Sequence, residues 1–159
     1  MSGDAAVSTA PADRSPEKSR QAALSILLVD DETDLLAEVA RYLRRRGHRV
    51  DTAASYASAE ALIDTAACPD VLVTDMRMPG GTGLDLAHRT RQRHPRCRVI
   101  VMTGHLDENH VGTADDLCDV AVLFKPFSFS RLLAFVNGDA SSDGNVMPVP
   151  APMALSSVA

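Results

Sequence analysis

Val71-Leu72-Val73-Thr74-Asp75, followed by the turn Met78-Pro79-Gly80-Gly81-Thr82-Gly83, decides how this chain folds. A short apolar run that stops on a charged residue at a turn reads as a strand buried on both faces, as in a parallel sheet. Three further runs end the same way. Ser25-Ile26-Leu27-Leu28-Val29 meets Asp30-Asp31, Val99-Ile100-Val101-Met102 stops at Thr103, and Val120-Ala121-Val122-Leu123-Phe124 stops at Lys125. In an open parallel sheet the strand C-termini share one rim, and ligands bind in the crevice along it. Three carboxylates, a hydroxyl and an ammonium therefore converge.

Helical patterns separate these strands. Leu35, Leu36, Val39, Ala40 and Leu43 fall at helical spacing, with basic Arg44-Arg45-Arg46 in the last turn and Gly47 as the stop. Arg49-Val50-Asp51-Thr52-Ala53 is a weak second strand, and Ser55 caps a second helix with Ala59, Leu62 and Ile63 as its apolar face. A third helix covers about Leu84 to His94. A fourth is expected between Leu106 and Asp119, weakened by Gly112, and a last one runs from about Ser128 to Asn137. Repeated βα units with short connections predict a doubly wound α/β fold, a five-stranded parallel sheet with five helices on its two faces. Residues 1–24 and 138–159, rich in Ala, Ser, Pro and Gly without periodicity, are expected to be disordered tails around a folded body at residues 25–137. A Met147-Pro148-Val149-Pro150-Ala151-Pro152 stretch in the second tail suits an extended docking peptide or a solvated end.

Composition narrows the function. No apolar stretch approaches the ~20 residues of a membrane span, and the first 24 residues lack the apolar centre of an export signal. A formal charge of −5 argues against a nucleic-acid surface. Cys68, Cys97 and Cys118 form no CxxC pair, which fits a reducing, cytoplasmic setting. Of the 16 basic residues only Lys18 and Lys125 are lysines. A compact ammonium at a sheet rim suits a phosphoryl oxygen as a point charge.

Two or three carboxylates at one rim repel one another, and a divalent cation resolves the conflict. Mg²⁺ prefers oxygen ligands and sites that combine few carboxylates with a substrate phosphate. A carboxylate there can act as a nucleophile and form an aspartyl phosphate. Lys125 would balance a phosphoryl oxygen, and the Thr103 hydroxyl could donate to the product. Each residue also has a plainer use: Asp31 or Thr33 as a helix cap, Asp75 as the start of a turn, Thr103 as a strand end.

Four segments in order resemble the receiver domain of two-component response regulators over about residues 25–137. They are Ile26-Leu27-Leu28-Val29-Asp30-Asp31-Glu32, Val73-Thr74-Asp75-Met76-Arg77-Met78-Pro79-Gly80, Val101-Met102-Thr103-Gly104 and Phe124-Lys125-Pro126-Phe127. The resemblance implies a flavodoxin-like fold with strand order 2-1-3-4-5. It implies Mg²⁺ on Asp30, Asp31, Asp75 and the Arg77 carbonyl, phosphorylation of Asp75, and switching roles for Thr103 and Lys125. The donor it implies is a phosphohistidine on a sensor histidine kinase or phosphotransfer protein, and Lys125-Pro126 is often cis in this family.

The chain departs from the family at Val122, three residues before the lysine, where receivers usually carry a Tyr or Phe that changes rotamer. A β-branched valine has one stiff torsion and no ring to swing. We therefore expect the 105–119 segment, with His105 bordering the site, to respond to phosphorylation by ordering. The sequence after Asn137 shows no periodic effector pattern, so the expected function is a single-domain, Mg²⁺-dependent receiver. It would signal by docking to a downstream protein or by phosphorelay, with no direct DNA or membrane binding. At most it would catalyse its own phosphorylation and dephosphorylation. The alternative is a phosphorylation-independent interaction module of receiver fold. A hydrolase using an aspartyl phosphate fits less well, because Arg77 stands where such enzymes need a second acid.

Overall fold

The computed structural model describes residues 22–65, 68–104 and 120–139. Five strands form one parallel sheet: β1 (Ser25–Val29), β2 (Arg49–Ala53), β3 (Val71–Asp75), β6 (Arg98–Thr103) and β7 (Val120–Phe124). Their order across the sheet is β2-β1-β3-β6-β7, which is the expected 2-1-3-4-5 arrangement of the main strands. Register places Val29 beside both Ala53 and Thr74, Asp75 beside Met102, and Thr103 beside Phe124. The ends of β1, β3, β6 and β7 thus lie along one rim.

Alternation along each strand feeds two cores, one on each face. Ile26, Leu28, Val73, Ile100 and Leu123 pack beneath α1 (Thr33–Arg45) and α4 (Phe129–Asn137) through Leu36, Val39, Leu43, Leu132 and Val136. Leu27, Val29, Leu72, Val99 and Val101 pack against α2 (Tyr56–Thr65) and α3 (Gly83–Arg93) through Ala59, Ile63, Leu86 and Ala87. Because both faces are covered, the strands read as continuous apolar runs.

Four helices lie among the described residues. The expected fourth helix at 106–119, His105, most of both tails and Cys118 fall outside them. Local signals act as anticipated in α1 and α2. Gly47 adopts φ +94° and its amide closes α1 on the Arg44 carbonyl. The Ser55 hydroxyl accepts from the Ser58 amide at the start of α2. Among the described residues neither Asp31 nor Thr33 caps α1, whose N-cap is Glu32 without a side-chain capping bond.

One correction concerns the stretch after Asp75. In place of a plain turn, Arg77–Met78 (β4) and Gly81–Thr82 (β5) form a small antiparallel hairpin, with Arg77 opposite Thr82 and Met78 opposite Gly81. Thr82 then caps α3 in a reciprocal box with Asp85. Two-residue strands are too short to leave a periodicity, so nothing in the residue pattern announced them.

Candidate functional site

The rim gathers two of the expected carboxylates around one cation. Lys125 Nζ lies 3.0 Å from Asp30 Oδ2 and 2.9 Å from Asp75 Oδ1. Asp30 directly follows β1 with its side chain only 2% exposed, and its Oδ1 accepts the Glu32 amide at 2.9 Å. Asp75 ends β3 with its side chain 14% exposed, and its Oδ2 accepts the Arg77 amide at 3.1 Å. Both carboxylates are therefore held by one oxygen on the ammonium and by the other on a backbone N–H. The loop after Asp75 and the α1 entry supply those amides because each chain segment turns directly after its aspartate.

Lys125 reaches the rim from the end of β7. Its amide bonds to the Thr103 carbonyl at 2.8 Å, and the Lys125–Pro126 peptide is cis. Burial pulls the Lys125 pKa down, but the hydrogen bonds and attraction of Asp75 and Asp30 outweigh it, and the net shift is upward. Lys125 is thus a fixed cation.

Thr103 ends β6 and is buried, one position beyond the residue paired with Asp75. Together with Asp75, Met76, Arg77 and Gly104 it lines an open cleft of about 230 Å³. Asp75 and Thr103 thus border the same volume, large enough for a phosphoryl group and water.

Asp31 is brought less close. It stands exposed beside Asp30. Among the described residues no three His, Cys, Asp or Glu side chains are gathered as a ready metal site. Lys125 Nζ lies between the Asp30 and Asp75 carboxylates. The donor chemistry nonetheless fits Mg²⁺, being oxygen throughout, and an ionised carboxylate has about four acceptor sites, of which the bonds above use two on each.

Val122 is buried in β7 opposite Val101, and Phe124, partly exposed, lies opposite Thr103. A valine at this position carries no ring that could change rotamer. Sequence reasoning missed Met76 and Gly104 as cleft walls and the Glu32 amide as a partner of Asp30. The spacing Asp30-x-Glu32 is the pattern of an Asx turn and could have signalled the last.

Comparison with known proteins agrees with this geometry. The family model "response regulator receiver domain" matches residues 26–137. The photosynthetic apparatus regulatory protein RegA of Cereibacter sphaeroides is 40% identical over 81 residues, covering 51% of this chain and 44% of RegA. The acid tolerance regulatory protein ActR of Rhizobium meliloti is 36% identical over 110 residues, covering 69% of this chain and 56% of ActR. The chain thus spans about half the length of these relatives. Among solved structures, the response regulator TrrA of Thermotoga maritima in complex with Mg²⁺ and BeF superposes with a TM-score of 0.61 at 25% identity, covering 71% of this chain and 96% of TrrA. With the five-stranded order, the rim carboxylates and a model match over most of the folded body, this chain belongs to the response regulator receiver family.

Proposed function

We propose that Asp75 is the phosphoryl acceptor of this receiver, with Mg²⁺ held by Asp30, Asp31, Asp75 and the Arg77 carbonyl. Aspartyl phosphorylation and Mg²⁺ dependence are general in the family. The observation that carries the reading for this chain is the Lys125 ammonium poised between Asp30 and Asp75 at 3.0 and 2.9 Å. When bound, Mg²⁺ supplies charge neutralisation and a Lewis-acid contact for a phosphoryl oxygen.

The chain's own groups do the rest. An Asp75 carboxylate oxygen attacks phosphorus while the P–N bond to a donor histidine breaks, and the leaving imidazole nitrogen keeps the electron pair and takes up a proton. Lys125 turns from Asp30 and Asp75 to a phosphoryl oxygen. Thr103, bordering the same cleft, donates its hydroxyl to the product. The Arg77 amide orients the acceptor before attack. The upstream partner is a sensor histidine kinase or phosphotransfer protein, and a protein partner receives the output.

Intact-mass analysis after incubation with acetyl phosphate and Mg²⁺ tests this. A hydroxylamine-labile adduct is expected that disappears with EDTA and in Asp75→Asn. No adduct, together with no beryllofluoride binding, would refute it. The buried Val122 favours a second reading, a module that docks without phosphorylation. Partner binding unchanged by Asp75→Asn would select it.

A further inference from the structure

Gly81 has an ordinary backbone conformation; the positive-φ glycines among the described residues are Gly47, Gly80 and Gly138. Glycine is therefore not required at 81 by the backbone. Space requires it. A Cβ built on Gly81 would overlap Cδ2 and Cε2 of the Tyr56 ring and come within 2.8 Å of its Cγ, whereas one on Gly80 would meet Tyr56 Cβ at an ordinary 3.8 Å. The ring thus lies in the room left by the missing side chain. Tyr56 also packs against the core cluster that contains Met76 and Met78.

Both ends of this contact are anchored. Tyr56 opens α2, and Glu60 and Asp64 follow it on the same helical face. Arg89 of α3 binds Glu60 at 2.8 Å and Asp64 at 2.6 Å, and Arg93 binds Asp64 at 3.1 Å. The His94 ring nitrogen Nε2 lies 3.1 Å from the Ile63 carbonyl oxygen. The ring is consequently fixed relative to α3, whose N-cap Thr82 directly follows Gly81. On the other side, Gly81 pairs with Met78 and Thr82 with Arg77, whose amide holds Asp75 Oδ2. A short chain of contacts therefore runs from α2 to the acceptor carboxylate.

We propose that Tyr56 is a positioning residue for phosphoryl transfer: its ring, seated on Gly81, sets the β4–β5 hairpin so that the Arg77 backbone stays aimed at Asp75. The proposal rests on Asp75 being the acceptor. The contact is made by ring carbons Cγ, Cδ2 and Cε2, so it does not require the hydroxyl. The stretch 55–59 would then be as much part of the phosphorylation apparatus as the rim itself.

A double-mutant cycle on the full chain tests it with Tyr56→Phe, Tyr56→Ala, Gly81→Ala and Tyr56→Ala/Gly81→Ala. Two readouts are taken below each variant's melting temperature: the rate of acetyl-phosphate labelling with Mg²⁺, and the ¹⁵N–¹H shift of the Arg77 amide without Mg²⁺ or phosphate. Tyr56→Phe should match wild type in both. Tyr56→Ala and Gly81→Ala should each slow labelling roughly 10- to 100-fold, the scale of sub-ångström misplacement, and move the Arg77 amide. In the Tyr56→Ala background Gly81→Ala should add little, because the ring it displaces is gone. Additive effects, or a Tyr56→Ala protein with lowered melting temperature but wild-type rate and amide shift, would overturn the proposal. If wild type itself takes no label, the acceptor reading fails, and an Arg77 amide that ignores Tyr56→Ala and Gly81→Ala still decides against the positioning role.

Discussion

Replacing Lys125 with methionine keeps most of the aliphatic side chain, one heavy atom shorter, and removes the charge that Asp30 and Asp75 share. At about 3 Å and an effective dielectric near 20, each contact carries roughly 5 kcal/mol of gross attraction, most of which offsets the desolvation of three charged groups. Breaking a buried pair costs about 3–5 kcal/mol because a charge is left without compensation. Asp30 is 2% exposed, but the lysine is 25% exposed, so water relieves part of that cost and about 2–3 kcal/mol is expected. Urea denaturation followed by far-UV circular dichroism, in EDTA, measures it. The same titration in Mg²⁺ adds a second test. A cation bound at 100 times its dissociation constant stabilises the native state by about 2.7 kcal/mol. In wild type it shares both carboxylates with the ammonium, whereas in Lys125→Met it meets them without that competing charge. Mg²⁺ should therefore stabilise the variant more than the parent at equal concentration. A variant within about 0.5 kcal/mol of wild type in EDTA, below the expected loss, or an identical Mg²⁺ increment in both proteins, would refute the idea that ammonium and metal compete for these oxygens.

Gly83→Ala should cost about 1–3 kcal/mol or more by thermal melting, since its Cβ would strike the Asp75 carbonyl and approach Thr74 Cγ2 at 3.1 Å, and backbone cannot step aside. His48 is buried with Nδ1 accepting the Leu24 amide at 3.3 Å, and burial lowers its pKa below 6.5. The unfolded chain thus binds this proton more readily than the folded one. Its contribution is present above pH 6.5 and is lost as pH falls through the folded-state value, by up to about 1.4 kcal/mol per pH unit. Urea midpoints across that range should flatten in His48→Gln. Burial pushes the Cys97 thiol up to about 12, so it is protonated and inert at neutral pH. Iodoacetamide followed by peptide mass mapping should label the exposed Cys68 in the native protein and Cys97 only after urea.

The rim was legible because each of its residues ends an apolar run, and a parallel sheet must place such ends side by side. Asp30, Asp75, Thr103 and Lys125 follow from that rule without any knowledge of contacts. The distinction between Asp30 and Asp31 did not follow, since two adjacent acids look alike until burial separates them. Residue patterns announced the apolar face of α2 and the span of α3, yet not that Arg89 and Arg93 would meet Glu60 and Asp64, because pairing depends on where two helices cross. Tyr56 resembled one more surface residue at a helix start. Its fit to Gly81 is a matter of complementary shape between segments distant in sequence, which periodicity does not encode.

The bond from Lys125 Nζ to Asp30 Oδ2 joins residues 95 positions apart, and it spans strands separated in the sheet by β3 and β6. During synthesis, Asp30 and Asp75 leave the ribosome long before the ammonium that will hold them. A nascent chain stalled before residue 125 has the acids without their counter-charge, and no N-terminal fragment short of β7 can carry the finished centre. The last strand among the described residues is thus the one that brings the counter-charge to the rim, so the Lys125 contacts report that the sheet has closed from β1 to β7.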